Sequence, residues 1–481
     1  MNRKKKPLPL FEQVPILDAG SEGKAVARVG ELVIFVPYVA PGDVVDIQVV
    51  RKKKAYLEGR AVRYHQYSDK RVTPFCTHFG LCGGCKWQHL DDDHQLHYKH
   101  KQVKDAFDRI GKLQYPLIQA IIPSENKRYY RNKLEYTFSA RRWLEGEHKE
   151  ETPDMRGLGF HLPQLFDRVL DIRECYLQPA PSDAIRLFAR EVCLETGLPF
   201  YDARTNQGFF RNLWIRNSNQ GDWLVILVTG ERNEPVIRRV LDRIGEKFPM
   251  VNSLMYVVNE KVNDSIADQE VVLYKGKGWL EEKMDDLLFR IGPQSFFQVN
   301  TAQALSMYQL CAERLELLGN ELVYDLYTGT GTIASFIARK VRQVIGIEYA
   351  TDAVKDAAGN CRMNGIENVL FFAGDIADLM TDDFLRTHGY PDVVITDPPR
   401  AGMHEKVVQQ LLKAAPAKIA YISCNPATQA RDLAMLAGQY EITLVQPFDM
   451  FPHTHHVECL VILERRNPSI TLPPAEEAAC Q

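Results

Sequence analysis

The residues of this 481-residue chain best suited to chemistry are thiols and carboxylates at the ends of apolar runs. Residues 419–423, IAYIS, read as a buried strand that ends in Cys424 and is stopped by Asn425-Pro426, with a helix expected after it. A thiol at the carboxyl end of a central strand stands where open α/β sheets place reacting groups, although cysteine is also a residue that cores bury. Asp397-Pro398-Pro399-Arg400 closes a second apolar run, and two prolines after a strand make a rigid ledge. Glu458 begins a third run behind a His/Pro loop, where a solvated carboxylate is the commoner finding. His453, His455 and His456 have the chemistry of metal ligands, but three within four residues beside a strand read as loop residues.

A second group of thiols is Cys76, Cys82 and Cys85, spaced C-x5-C-x2-C. Gly83-Gly84 lets the backbone turn tightly, so Cys82 and Cys85 can face one ion or cluster. A four-thiolate site needs one more ligand, and Cys175 in DIRECYLQ is the nearest downstream candidate. Zinc and an iron–sulfur cluster both suit four thiolates, and spacing does not separate them. Cys193, Cys311, Cys361, Cys459 and Cys480 read as ordinary thiols.

These groups must be held by more than one domain. A hydrophobic content of 45% and a charged content of 25% are those of a soluble globular chain. No apolar run reaches the roughly 18 residues of a membrane span. The start, MNRKKKPLPL, has no apolar core behind it and does not read as a secretory signal. Ten cysteines without such a signal point to the cytoplasm, where thiols stay reduced. The net charge of −3 divides unevenly, +5 over residues 1–70 and −8 over the rest. A basic first domain suits nucleic acid, and a solvated charged face would look the same.

Taken in order, residues 1–9 read as a disordered basic tail. Residues 10–66 alternate β-branched runs with Gly/Pro turns, as in a small five-stranded β-barrel of OB-like type, with the basic run 51–54 between two strands. Residues 67–290 form an α+β central domain that carries the cysteines. In it, residues 93–110 have helical periodicity, 128–138 read as an alternating strand, 159–164 as a turn and 223–230 as a buried strand. Arg128, Arg131 and Lys133 lie among aromatics in that strand, and Arg141 precedes Trp143, a pattern that suits unstacked RNA bases or a solvated sheet face. From 291 to 466 strands alternate with helices after a long helix at 301–317. Strands are expected at 322–327, 343–348, 368–374, 392–397, 418–424, 441–446 and 458–465, the last two antiparallel: a doubly wound sheet with a terminal hairpin. Residues 467–481 read as a second disordered tail.

Gly329-Thr330-Gly331 with Ala334 matches the dinucleotide fingerprint G-x-G-x-x-A, with Glu348 placed to take a ribose hydroxyl. The same geometry serves S-adenosylmethionine. The proline ledge beside a strand-end thiol favours the second: hydride transfer has no use for it, and methylation of a base carbon does.

FFQVN (296–300), DLYTGTGT (325–332), DPPR (397–400), SCNPATQARDL (423–433) and HTHHVE (453–458) follow one another in this order. Together they resemble the RNA (uracil-5-)-methyltransferase family. The N-terminal barrel resembles that family's TRAM domain, and the cysteine element with Cys175 resembles the [4Fe-4S] site of its 23S ribosomal RNA branch. The likeness extends over nearly the whole chain. One departure is Thr328, where many relatives have cysteine.

The resemblance implies a C-terminal Rossmann-like methyltransferase domain dependent on S-adenosylmethionine. It implies that Gln298, Tyr327, Glu348 and Asp397 contact this cofactor, with Asp375 a further contact near the adenine. It makes Cys424 the nucleophile, Glu458 the general base, and Cys76, Cys82, Cys85 and Cys175 the cluster ligands. It also implies that the helix around 95–115 packs on the catalytic domain and that the central domain grips RNA. The chemistry is coherent: carbon 5 of uracil is a weak nucleophile until a thiolate adds to carbon 6, and a base must then remove the carbon 5 proton. The reacting base is flipped out or unpaired. The expected activity is methylation of carbon 5 of a uridine in 23S rRNA, by a chain with no need to be more than a monomer. The alternatives are the same reaction on tRNA, or a cluster-bearing RNA-binding protein with an inactive methyltransferase fold.

Overall fold

The computed structural model describes residues 8–144 and 154–466. The two expected tails fall mostly outside these residues. Leu8 and Pro9 do not: both carbonyls accept from the Gln48 side chain, so the chain is already tied to the barrel there.

The first domain is a closed barrel of β1 (Leu10–Ala19), β2 (Ala25–Val29), β3 (Leu32–Val36), β4 (Val44–Lys52) and β5 (Leu57–Gln66), in the order β1-β2-β3-β5-β4. Alternation makes it: Ala25, Ala27, Ile34, Val36, Val45 and Ile47 are buried in one core, while Val26, Phe35 and Gln48 beside them are more exposed. Helix α1 (Asp92–Ala106) follows, capped by Asp91, whose carboxylate accepts from the His94 amide. It ends in one wider turn over Phe107–Gly111.

The central domain is a seven-stranded sheet of β6 (Lys133–Ser139), β7 (Gly157–Leu162), β8 (Leu165–Leu170), β9 (Phe210–Asn217), β10 (Trp223–Thr229), β11 (Val251–Val258) and β12 (Val271–Gly276), ordered β12-β11-β10-β9-β6-β7-β8. Helices α2 (Ser182–Glu195) and α3 (Glu234–Lys247) share one of its cores. Two expectations fail here. Residues 128–132 are not strand, because Tyr129 takes a left-handed φ of +57° that breaks an extended run before Lys133. Residues 159–164 are not one turn: they complete β7 and turn only at Pro163-Gln164, where Gln164 has φ +66° and Leu162 pairs with Leu165.

Arg211 on β9 is a local lock. Its buried guanidinium donates to the carbonyls of Asn259 (2.8 Å), Lys261, Val262 and Asn263 (2.9 Å) and to Asp264 (2.9 Å). Arg211→Met is expected to cost about 1–3 kcal/mol, because the buried Asn259 carbonyl and the exposed 261–264 loop lose the donor that ties them to β9. The urea midpoint of the full chain reads this, and a loss within about 0.5 kcal/mol, as at an ordinary surface site, would contradict it.

The hairpin β13 (Leu280–Met284) and β14 (Leu287–Ile291) belongs by packing to the C-terminal unit. Met284, Leu287, Phe289 and Ile291 share a core with α4 (Thr301–Leu315), although the sequence reading put the hairpin on the central side. The last sheet holds β15 (Leu322–Leu326), β16 (Gln343–Glu348), β17 (Val369–Ala373), β18 (Val393–Thr396), β19 (Lys418–Ser423), β20 (Tyr440–Phe448) and β21 (Glu458–Arg465). Its order is β17-β16-β15-β18-β19-β21-β20, parallel as far as β19, with β21 antiparallel to both its neighbours. This is a doubly wound sheet. One face packs on α4, α5 (Thr332–Ala338) and α6 (Thr351–Met363). The other packs on α7 (Ile376–Leu379), α8 (Asp382–His388), α9 (Glu405–Ala414) and α10 (Pro426–Leu436). Val103, Ala106 and Phe107 join that second face, so α1 packs on the C-terminal sheet. Among the described residues no helix is long and apolar enough to cross a membrane.

Candidate active site

Register brings Cys424 and Glu458 to the same end of the sheet. β19 and β21 pair antiparallel with Lys418 opposite Glu464 and Ser423 opposite Cys459. Continuing that register one residue past the ladder would set Cys424 opposite Glu458, and the Glu458 charge does reach the Cys424 thiol. Glu458 is 3% exposed, and Cys424 is half-buried. Burial, then the charge of Asp397, pushes the Glu458 carboxyl well above the usual range, with Arg400 pulling it down. Burial also drives the Cys424 thiol up to about 11; Glu458 and Asp397 add to this, and the Arg400 guanidinium opposes it by charge and by a hydrogen bond.

Arg400, beside Cys424, is the residue that the sequence reading left without a role, although DPPR was its signal. Its loop is welded to α10: the Arg400 carbonyl accepts from Asn425 Nδ2 (2.9 Å) and Thr428 Oγ1 (3.1 Å), and Asn425 also caps the helix. Buried Asp432 accepts from Tyr421 Oη (2.7 Å) and the Met403 amide (2.8 Å), fixing the far end of the loop. Without Arg400, only influences that favour the neutral thiol remain. Arg400→Gln is therefore expected to slow iodoacetamide alkylation of Cys424 at about pH 8, tenfold for each unit the thiol rises. An unchanged rate by mass spectrometry would take Arg400 out of the site.

Gln298 donates from Nε2 to Asp397 (3.4 Å), and burial raises the Asp397 carboxyl. The segment carrying Gln298 is held by Asn132 of the central domain, which donates from Nδ2 to the Gln298 carbonyl (2.9 Å) and from its amide to Val299 (2.9 Å). Along the same carboxyl edge, Tyr327 follows β15 with φ +62°, Glu348 ends β16 and Asp375 follows β17. Gly329 and Gly331 adopt φ +55° and +74°, so backbone rather than side chain lines the turn. Glu348 accepts from the amides of Gly329 (3.0 Å) and Ala350 (2.9 Å). Exposed Asp375 caps α7 by accepting from the Ala377 amide (2.8 Å). Asp325 is buried and raised to about 7; one oxygen accepts from Thr328 Oγ1 (2.5 Å) and the Ala334 amide (3.1 Å), while Oδ1 has no partner among the described residues. The departure at Thr328 thus supplies a donor to Asp325.

Cys76, Cys82, Cys85 and Cys175 line one cavity of about 490 Å³, which extends to Gln298, Arg400 and His456. The charges of Cys82 and Cys85 reach Cys175, and burial pushes all four thiols up. Donor type and common placement fit a soft metal centre. As they stand, however, no group of three or more His, Cys, Asp or Glu among the described residues is arranged to hold a metal ion, the three histidines included. His455 and His456 stack at 4.0 Å and are kept neutral by burial.

The basic–aromatic run expected to meet RNA is partly engaged within the chain. Arg128 lies 3.8 Å from the Phe75 ring centre, Arg141 pairs with Asp202 (2.9 Å) and Lys133 with Glu135 (2.8 Å). On the barrel, Arg51, Lys52 and Lys54 stay exposed.

The sequence model of the tRNA (Uracil-5-)-methyltransferase family matches residues 277–466, and that of the TRAM domain matches 12–62. An uncharacterized RNA methyltransferase of Porphyromonas gingivalis is 51% identical over 94% of this chain and 99% of its own length. One of Bacteroides thetaiotaomicron is 50% identical over 93% and 100%. Among solved structures, the Pyrococcus abyssi tRNA (uracil-54, C5)-methyltransferase in complex with S-adenosyl-L-homocysteine is similar at TM-score 0.71 and 27% identity, over 94% of this chain and 100% of that one. The match to the catalytic sheet, the match to the barrel and the full-length relatives agree: the chain belongs to the RNA (uracil-5-)-methyltransferase family and carries a TRAM domain.

Proposed function

We propose that the protein methylates carbon 5 of a uridine in 23S rRNA, using S-adenosylmethionine and a covalent adduct to Cys424. The observation that carries the chemistry is that Glu458, Asp397 and Arg400 all act on the Cys424 thiol at the end of the β19–β21 ladder. Gln298, Tyr327, Glu348, Asp375 and Asp397 would hold the cofactor; the unpartnered Asp325 Oδ1 and the open glycine turn leave the cradle polar and accessible to backbone approach. When bound, that cofactor supplies an electrophilic methyl group. The chain does the rest. Cys424 Sγ forms a bond to carbon 6, helped toward the thiolate by Arg400, and the displaced π pair makes carbon 5 nucleophilic. After carbon 5 is methylated, Glu458 takes its proton. The released pair restores the carbon 5–carbon 6 double bond, and the carbon–sulfur bond breaks to return the thiolate.

The ribosomal substrate rests on the four cysteines beside a TRAM domain; the tRNA named for the Pyrococcus abyssi enzyme favours the second reading. A map of 5-methyluridine in 23S rRNA and tRNA from a strain lacking the gene decides. Loss at one or two ribosomal positions supports the proposal, loss confined to tRNA moves the substrate, and no loss returns the inactive-fold reading.

We also assign a [4Fe-4S] cluster to Cys76, Cys82, Cys85 and Cys175. Protein purified without oxygen is expected to be brown and to yield iron and acid-labile sulfide, both lost in Cys175→Ser. Colourless protein with stoichiometric zinc would replace the cluster by zinc and leave the methyltransferase reading intact.

A further inference from the structure

Glu458 opens β21, paired with Phe448, and the chain reaches it through an irregular segment, residues 449–457, that lies outside any strand. One face of α1 grips that segment. Gln95, Lys99 and Gln102 are spaced i, i+4, i+7 and so lie along one side of the helix. The Lys99 side chain is 0% exposed, and its ammonium donates to Asp449 Oδ1 (2.5 Å) and the Phe451 carbonyl (3.0 Å). Gln95 Oε1 accepts from the His453 amide (2.9 Å), and Gln102 Nε2 donates to the His455 carbonyl (3.2 Å). The cysteine loop adds to the grip, the Lys86 and Trp87 amides both donating to the His453 carbonyl (2.9 and 3.0 Å). A fully buried ion pair is a poor source of stability, because desolvation offsets the attraction. What it does supply is a fixed distance between two elements.

We infer that Lys99 and Asp449 are positioning residues for the base: the α1 clamp holds the segment through which the chain enters β21 at Glu458, and breaking it slows proton removal from carbon 5 while addition of Cys424 and methyl transfer continue. This rests on the roles proposed above for Cys424 and Glu458. Misplacing a catalytic group by about 1 Å costs on the order of 10²-fold. The effect should therefore fall on one step, as accumulated adduct, where a general loss of folded protein would lower every step together.

The test uses the full chain with carbon-5-tritiated transcripts of unmodified 23S rRNA and tRNA. Tritium release reports removal of the carbon 5 proton, and a denaturing gel reports protein-linked RNA. Lys99→Met and Asp449→Asn are expected to slow release on the order of 10²-fold and to accumulate the linked species. Lys99→Met alone leaves Asp449 buried without its partner, so the double variant Lys99→Met/Asp449→Leu removes both charges and refills the space with apolar side chains. It is expected to melt with the parent and still show slow release and accumulated adduct. Parent-like release in the double variant, with Glu458→Gln trapping adduct in parallel, overturns the clamp alone. If Glu458→Gln traps nothing, the assigned base falls, and the clamp proposal falls with it.

Discussion

Cys424→Ala is expected to leave a folded protein that binds RNA and transfers no methyl group, a loss on the order of 10⁶-fold, the scale on which removal of an irreplaceable nucleophile is felt. The physical ground is that carbon 5 has no other route to nucleophilic character in this site. Cys459, the nearest thiol in sequence, is fully buried and pairs with Ser423 in the ladder. Its neutral form is favoured by burial, then by Glu458, and nothing offsets them as Arg400 does for Cys424. The substitution should be cheap for the fold, since Cys424 is half-buried beyond the last paired residue of β19. The check is single-turnover methyl incorporation with excess enzyme, beside a filter-binding measurement of RNA affinity. Retained methylation with retained affinity would mean that the methyl group goes to a position needing no covalent activation.

Much of this site could be read from the chain because it is local. The strand ending in Cys424, the ledge of Asp397-Pro398-Pro399-Arg400 and the glycine turn are each set by a few adjacent residues, and strand alternation made the barrel legible in the same way. What escaped is what folding brings from afar. The charged character of α1 predicted a helix, yet nothing in its periodicity said that Lys99 is wholly buried against Asp449, 350 positions away. Tyr129 looked like one more residue of an alternating strand until its backbone turned left-handed. Arg128, exposed as an RNA contact would need to be, also lies on Phe75, a contact its spacing did not announce. A single sequence reports residue type and spacing; it does not report which distant partner has already used a side chain.

Glu458→Gln is the substitution in which chemistry and stability should move in opposite directions. Addition and methyl transfer need no base at position 458, and proton removal does. The variant is therefore expected to hold RNA as a nuclease-sensitive adduct on a denaturing gel, with turnover down by about 10²–10⁴-fold. Cys424→Ala/Glu458→Gln should show no such band, which ties the adduct to this thiol. The stability effect follows from linkage. Burial and Asp397 raise the folded-state pKa of Glu458, so the folded protein binds a proton there more tightly than the unfolded chain does. The parent's stability from this group is thus greatest below the ordinary carboxyl pKa of about 4.3 and is lost as pH rises toward the folded value. Glutamine carries no charge to bury at any pH. Glu458→Gln should therefore melt higher than the parent at about pH 8, with the gap closing as pH falls to about 4. Thermal melts across that range read the gap directly. A variant that melts lower than the parent at about pH 8 would mean that the ionised carboxylate is stabilised in the fold, with Arg400 outweighing burial, and Glu458 would then be a weaker base than the reaction needs.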